Sequence, residues 1–66
     1  MKNPNFSLKS LRVKHQYTQQ YVAKILEIAE TTYNRKENGV TDFTVAEAEK
    51  LARLFKVSPM DIFFNN

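Results

Sequence analysis

The residues best suited to chemistry are concentrated between Glu30 and Gly39, in the stretch ETTYNRKENG. Its carboxylates, amides and arginine can donate and accept hydrogen bonds. The chain offers no nucleophile–base pair, no metal-ligand cluster and no glycine-rich phosphate loop, so we expect a binding protein and not an enzyme. The stretch is either an ordinary solvated helix or a surface that recognises another polymer.

The composition excludes several kinds of site. The chain has no cysteine, and His15 alone cannot form a zinc site, so we expect no metal and no cofactor. No apolar run approaches the roughly 18 residues needed to cross a membrane, and the opening MKNPNF does not resemble a signal peptide. We expect a cytoplasmic protein with no membrane partner and with residues 1–66 in one domain.

Positive charge is concentrated in the first half of the chain. Residues 1–36 contain seven Lys and Arg against two Asp and Glu, whereas residues 37–66 contain three against five. A basic half is typical of a phosphate-binding surface. A basic surface that is only solvated fits equally well, so charge alone does not choose between the two.

Apolar spacing and capping residues predict short helices. In FSLKSLRVKHQ, leucines three residues apart predict a first helix of about two turns. Thr18 is the predicted N-cap of a second helix that runs to about Ile25. Tyr17 and Val22 flank that cap as a hydrophobic staple.

Three further helices are expected. A mostly polar third helix covers residues 29–38 and is ended by Gly39. Thr44 and Glu47 form a capping box at the start of a fourth helix, and Ser58 caps a short fifth one. The predicted fold is all-α, a compact bundle of five short helices.

The second and third helices, at about residues 18–38, have the organisation of a helix-turn-helix. Ala23 is small enough to let the two helices cross closely, over a turn of about three residues. The third helix offers the core little besides Tyr33, whose hydroxyl we expect at the edge of the core. An exposed polar helix beside a packed one suggests that the polar helix contacts a partner.

From Leu8 to Phe64 the chain resembles the lambda repressor/Cro-like helix-turn-helix proteins, the XRE family. The joint order and spacing of several short patterns carry the resemblance. They are Leu8-x-x-Leu11-Arg12, Thr18-Gln19-x-x-Val22-Ala23, Glu37-Asn38-Gly39, Phe43-Thr44-x-x-Glu47-Ala48 and Val57-Ser58-Pro59-x-Asp61-Ile62-Phe63.

The resemblance implies a set of DNA-contacting positions. They are Gln19, Ala29, Glu30, Thr31, Asn34, Arg35 and Asn38. Gln19 and Asn38 match positions that contact phosphate, and residues 29–31 match the start of the recognition helix, which faces base edges. Arg12 and Glu37 match a partly buried salt bridge that belongs to the scaffold.

The chain departs from the family pattern in four places. Glu27 stands where the turn usually has glycine, and Ala29 stands where Ser or Thr usually caps the third helix. Lys36 replaces an apolar residue. Residues 40–42 replace a loop that is often basic, which argues against a phosphate contact there.

Two side chains of the polar stretch have competing interpretations. Glu30 either complements the helix dipole or accepts a hydrogen bond, from cytosine N4 or from Arg35. Arg35 is the best candidate for a guanine or phosphate contact, and a solvated arginine is the alternative.

The expected function is sequence-specific binding of double-stranded DNA by a transcriptional regulator, a repressor or controller. We expect a homodimer on a near-palindromic operator, with Phe63 and Phe64 as its possible interface. Such a protein would be nucleoid-associated and bacterial or phage-encoded. The alternative is a protein-interaction module of the same fold, such as an antitoxin or anti-regulator, with a regulatory protein as its partner.

Overall fold

The computed structural model of the protein describes residues 5–63, which form five helices and, within that range, no strand. The helices are α1 (Phe6–Lys14), α2 (Gln19–Leu26), α3 (Glu30–Glu37), α4 (Val45–Phe55) and α5 (Pro59–Phe63). The predicted all-α bundle is confirmed. None of these helices is long and apolar enough to cross a membrane.

Side-chain caps begin several of the helices. Thr44 and Glu47 form the predicted capping box, in which each side chain accepts a hydrogen bond from the other's backbone N–H, at 3.0 and 2.9 Å. Thr18 caps α2 as predicted. Asn5, which the sequence patterns did not identify, caps α1 by accepting a hydrogen bond from the N–H of Leu8 at 2.9 Å.

The turn between α2 and α3 passes through Glu27, which adopts the left-handed conformation at φ 60° and ψ 41°. The N–H of Ile28 donates to the carbonyl of Ala23 at 3.0 Å, which completes a Schellman ending. Glutamate therefore takes the conformation that glycine adopts more easily, at a cost of about 1 kcal/mol. Ala29 follows as the N-cap of α3 and makes no side-chain capping bond, in agreement with its sequence.

Three other helices end in the same way. Their left-handed residues are Gln16, Gly39 and Lys56, with φ of 61°, 80° and 58°. In each case the next N–H donates to the carbonyl five residues earlier, at 3.0, 2.8 and 3.0 Å. Among these four helix ends, glycine occupies only the one after α3.

All five helices contribute to one core. Its members are Leu8, Val22, Ala23, Leu26, Tyr33, Leu51, Phe55 and Ile62. The side chain of Tyr33 is 0% exposed, and its hydroxyl donates to Oε2 of Glu37 at 2.6 Å. The expectation that this hydroxyl lies at the edge of the core is wrong, because a buried carboxylate supplies its partner.

The two phenylalanines of the predicted dimer interface have different places. Phe63 is half-buried and packs against Phe43 edge to face, with 5.5 Å between ring centroids. It therefore helps to close the core. Phe64 lies outside the described residues.

Candidate nucleic-acid interface

One face of α3 and of the residue after it is polar and exposed. The exposed residues are Glu30, Thr31, Asn34, Arg35 and Asn38. Thr31, Asn34, Arg35 and Asn38 have the spacing that shares one side of a helix, whereas Tyr33 and Glu37 face the core and are buried. Glu30 is exposed in the first turn of the helix. Ala29 is exposed immediately before the helix. The fold thus places six of the seven predicted DNA-contacting residues on or next to one surface.

The predicted pair Arg12 and Glu37 joins α1 to the last turn of α3. Nε of Arg12 donates to Oε2 of Glu37 at 2.8 Å, and Nη2 donates to Oε1 at 3.1 Å. The third nitrogen, Nη1, donates to the carbonyl of Tyr17 at 3.0 Å. The side chains are only 12% and 2% exposed, so a bidentate, largely buried ion pair positions α3.

Four hydrogen bonds converge on the carboxylate of Glu37 and favour its ionised form. Arg12 supplies two of them, Tyr33 supplies one, and Nε2 of Gln19 supplies the last at 3.1 Å. Burial by itself would raise the pKa of Glu37, but these donors outweigh it and lower the pKa below its ordinary value. The bonded carboxylate raises the pKa of Arg12, while burial, together with that carboxylate, raises the pKa of Tyr33.

Gln19 links the buried pair to the exposed face. Its Nε2 donates to Glu37, and its Oε1 accepts a hydrogen bond from Nδ2 of Asn34 at 3.1 Å. Nδ2 of Asn38 then donates to Oδ1 of Asn34 at 3.2 Å. Sequence reasoning assigned Gln19 to phosphate and missed these bonds, because no local pattern reveals a contact between two helices.

Arg35 and Glu30 behave differently from these bonded side chains. Within residues 5–63 the guanidinium of Arg35 forms no ion pair or hydrogen bond, and the side chain is exposed. Glu30 forms no hydrogen bond or ion pair with Arg35 there either, so the version in which Glu30 accepts a hydrogen bond from Arg35 and orients it is wrong for this structure. Glu30 lies in the first turn of α3, where its charge complements the helix dipole.

Lys36 forms a second connection between α3 and the scaffold, which the sequence did not predict. Its Nζ donates to Oε1 of Glu47 and to the carbonyl of Asp42, both at 2.9 Å, and lies 5.8 Å from the ring centroid of Phe43. Burial alone would raise the pKa of Glu47, but bonds from the Thr44 N–H and from Lys36 lower it. The one available signal was a lysine at a position where the family pattern is apolar.

The described range holds no group of three His, Asp or Glu side chains that could bind a metal ion. A comparison with protein families matches residues 8–62 to a profile described as helix-turn-helix. The matched range includes both members of the Arg12–Glu37 pair and every predicted DNA-contacting residue. Comparisons with curated proteins and with solved structures found no significant match.

Proposed function

Because the chain belongs to the lambda repressor-like helix-turn-helix family, we propose that it is a sequence-specific regulator that places α3 in the major groove of double-stranded DNA. Membership of this family indicates a DNA-binding regulator. The observation that carries the finer proposal is the exposed polar face of α3, with Arg35 unpaired within residues 5–63. The buried Arg12–Glu37 pair fixes α3 to α1 and so holds that face in a defined orientation.

The N-terminal end of α3 faces base edges in this proposal. Thr31 contacts a thymine methyl group, and Glu30 accepts a hydrogen bond from cytosine N4. Ala29 approaches the same bases without a polar group of its own. A carboxylate in the groove makes other bases costly, so Glu30 contributes selectivity more than affinity.

Arg35 and the amides contact the rest of the site. The guanidinium of Arg35 pairs with O6 and N7 of guanine. The amides of Gln19 and Asn38 each use one N–H within the protein, so each keeps a second N–H that can donate to phosphate. For Gln19 the start of α2 supplies further donors, because helix N-terminal N–H groups favour anions.

A dimer completes the proposal. Two copies of α3 would enter successive major grooves about 34 Å apart, and the operator would be a near-palindrome. Phe64 remains the predicted interface residue. The protein would act as a repressor or controller in the bacterial cytoplasm, associated with the nucleoid, and not as an enzyme.

A second function is favoured by exposed apolar side chains away from α3. Phe6, Val45 and Met60 are 68%, 78% and 65% exposed. Exposed apolar side chains are common at protein interfaces. In this second function they would contact a regulatory protein, as in an antitoxin or anti-regulator.

Selection from random duplex DNA tests the primary proposal. We expect one near-palindromic site to be enriched and to bind more tightly than a scrambled duplex of the same length. Affinity should fall steeply with salt, with a log–log slope of several units. Equal affinity for the selected and scrambled duplexes would end the claim of sequence specificity and favour the protein-interaction function.

Arg35→Ala tests the assignment of the reading face. It should cost about 1–3 kcal/mol of binding free energy and relax preference at one base pair, because a bidentate guanine contact is lost. Arg53→Ala, which removes an exposed arginine from α4, is the matched control and should change little. Unchanged affinity and preference in Arg35→Ala would place the reading face elsewhere.

A further inference from the structure

Three amide side chains connect a buried charge to the exposed face of α3. Starting at Glu37, the chain of hydrogen bonds runs through Gln19 to Asn34 and ends at Asn38. The three bonds measure 3.1, 3.1 and 3.2 Å. Glu37 is 2% exposed, whereas Asn34 and Asn38 are exposed, so the chain crosses from the core to the surface.

The charge of Glu37 fixes the direction of every amide in this chain. A carboxylate only accepts hydrogen bonds, so Gln19 must turn its NH2 group toward Glu37. Its oxygen then faces Asn34, which must offer NH2 in return. The oxygen of Asn34 is left facing Asn38, whose NH2 group donates to it.

The amide of Asn34 keeps unused hydrogen-bonding capacity. The bonds to Gln19 and Asn38 use one of the two N–H groups of Asn34 and one lone pair of its oxygen. One N–H and one lone pair remain. A donor and an acceptor side by side on a planar amide match N7 and N6 of adenine in the major groove.

We propose that Asn34 reads adenine, and that Glu37 fixes the orientation of its amide through Gln19. This inference rests on the proposed DNA-binding function. A free amide can rotate by half a turn to suit different base edges, whereas a restrained one cannot. Gln19 is therefore a positioning residue for specificity, in addition to any contact that it makes with phosphate.

Gln19→Met tests the positioning role. Methionine keeps the volume of glutamine but cannot bond to Asn34, and Glu37 keeps its bonds from Arg12 and Tyr33. Gln20→Met is the matched control, because Gln20 is the exposed neighbour and makes no side-chain bond within residues 5–63. Thermal unfolding of both variants checks that they remain folded.

The measurement is binding to the selected duplex and to duplexes with each base pair replaced. Asn34→Ala identifies the base pair that Asn34 reads, where the wild-type protein should prefer adenine by about 5- to 150-fold. Gln19→Met should reduce that preference to about twofold, and Gln20→Met should leave it unchanged. A uniform loss across all duplexes would instead reflect only a phosphate contact and would overturn the inference.

Solvent exchange of side-chain amide protons, measured by NMR without DNA, is a second test of whether the Asn34 amide is restrained. In the wild-type protein the Asn34 amide should exchange more slowly than that of Gln20, and Gln19→Met should abolish the difference. Equal exchange in the wild-type protein would overturn the inference even if Gln19→Met fails to fold. Equal affinity of the wild-type protein for selected and scrambled duplexes would overturn the proposed function and this inference together. Specific binding by the wild-type protein, with an unchanged adenine preference in Gln19→Met, would overturn this inference alone.

Discussion

Helices α2 and α3 have the same length, eight residues each, but different interactions hold them in place. α2 buries three apolar side chains, those of Val22, Ala23 and Leu26. α3 buries one aromatic ring and one carboxylate, those of Tyr33 and Glu37. A helix whose outer face is polar and exposed has little apolar surface to bury, so charged hydrogen bonds position it instead.

Removal of Glu37 should have the largest effect on this arrangement. Glu37→Ala leaves the guanidinium of Arg12 largely buried without its partner, and we expect a loss of about 4 kcal/mol in unfolding free energy. Urea unfolding measures the change. Glu49→Ala removes an exposed glutamate from α4 and should change stability by less than about 0.5 kcal/mol. A similar small change in both variants would contradict the importance of the pair.

A cavity beside α2 should lower the unfolding free energy slightly less than the removal of Glu37 does. Leu26→Ala removes buried apolar volume, and we expect a loss of about 3 kcal/mol. Because no charge is involved, the loss should be the same in low and high salt. Val13→Ala truncates an exposed side chain of α1 and serves as the control. A loss no larger than that of the control would show that α2 does not depend on apolar burial.

Acid should weaken the attachment of α3 without a direct effect on the packing of α2. The folded-state pKa values of Glu37 and Glu47 both lie below the ordinary 4.5, so protons bind more readily to the unfolded chain. Their stabilising contribution is complete above that value and is lost as pH falls through the lowered folded-state values.

Melting temperatures measured from pH 7 downward test this dependence. They should fall as the pH passes below the ordinary carboxyl range, and Glu47→Gln should make the fall shallower because only Glu37 then contributes. Melting temperatures that stay constant down to the acid limit would contradict the assignment.

A new cap on α3 should have the smallest effect and should make the two helices more alike. Ala29→Ser supplies the side-chain cap that α2 already has in Thr18, and we expect a gain of about 1 kcal/mol in stability without DNA. Ala46→Ser places the same residue inside the exposed first turn of α4 and should not stabilise. Equal changes in both variants would show that serine does not act as a cap at position 29.

Several helix starts and ends could be predicted because their signals are local. Thr44 and Glu47 lie three residues apart, and the glycine after α3 stands next to the helix that it ends. The five-helix bundle was predicted from these boundaries and from the spacing of apolar residues. The Arg12–Glu37 pair, in contrast, came only from the family resemblance.

The connections between helices could not be predicted from the sequence in this way. The bonds of Gln19 to Asn34 and Glu37 span 15 and 18 residues, and the Lys36–Glu47 pair spans 11. Such pairs depend on how helices cross, which spacing along the chain does not encode. They determine which polar groups of the candidate interface remain available to a partner.

The left-handed residues at the helix ends bear on how this protein can change over evolution. Gln16, Glu27 and Lys56 each hold a conformation that glycine would adopt with less strain, and each lies outside the exposed face of α3. Replacement by glycine at one of these ends would release up to about 1 kcal/mol. That reserve could compensate for a destabilising substitution on the exposed face of α3, so the residues proposed to contact DNA could change without loss of the fold.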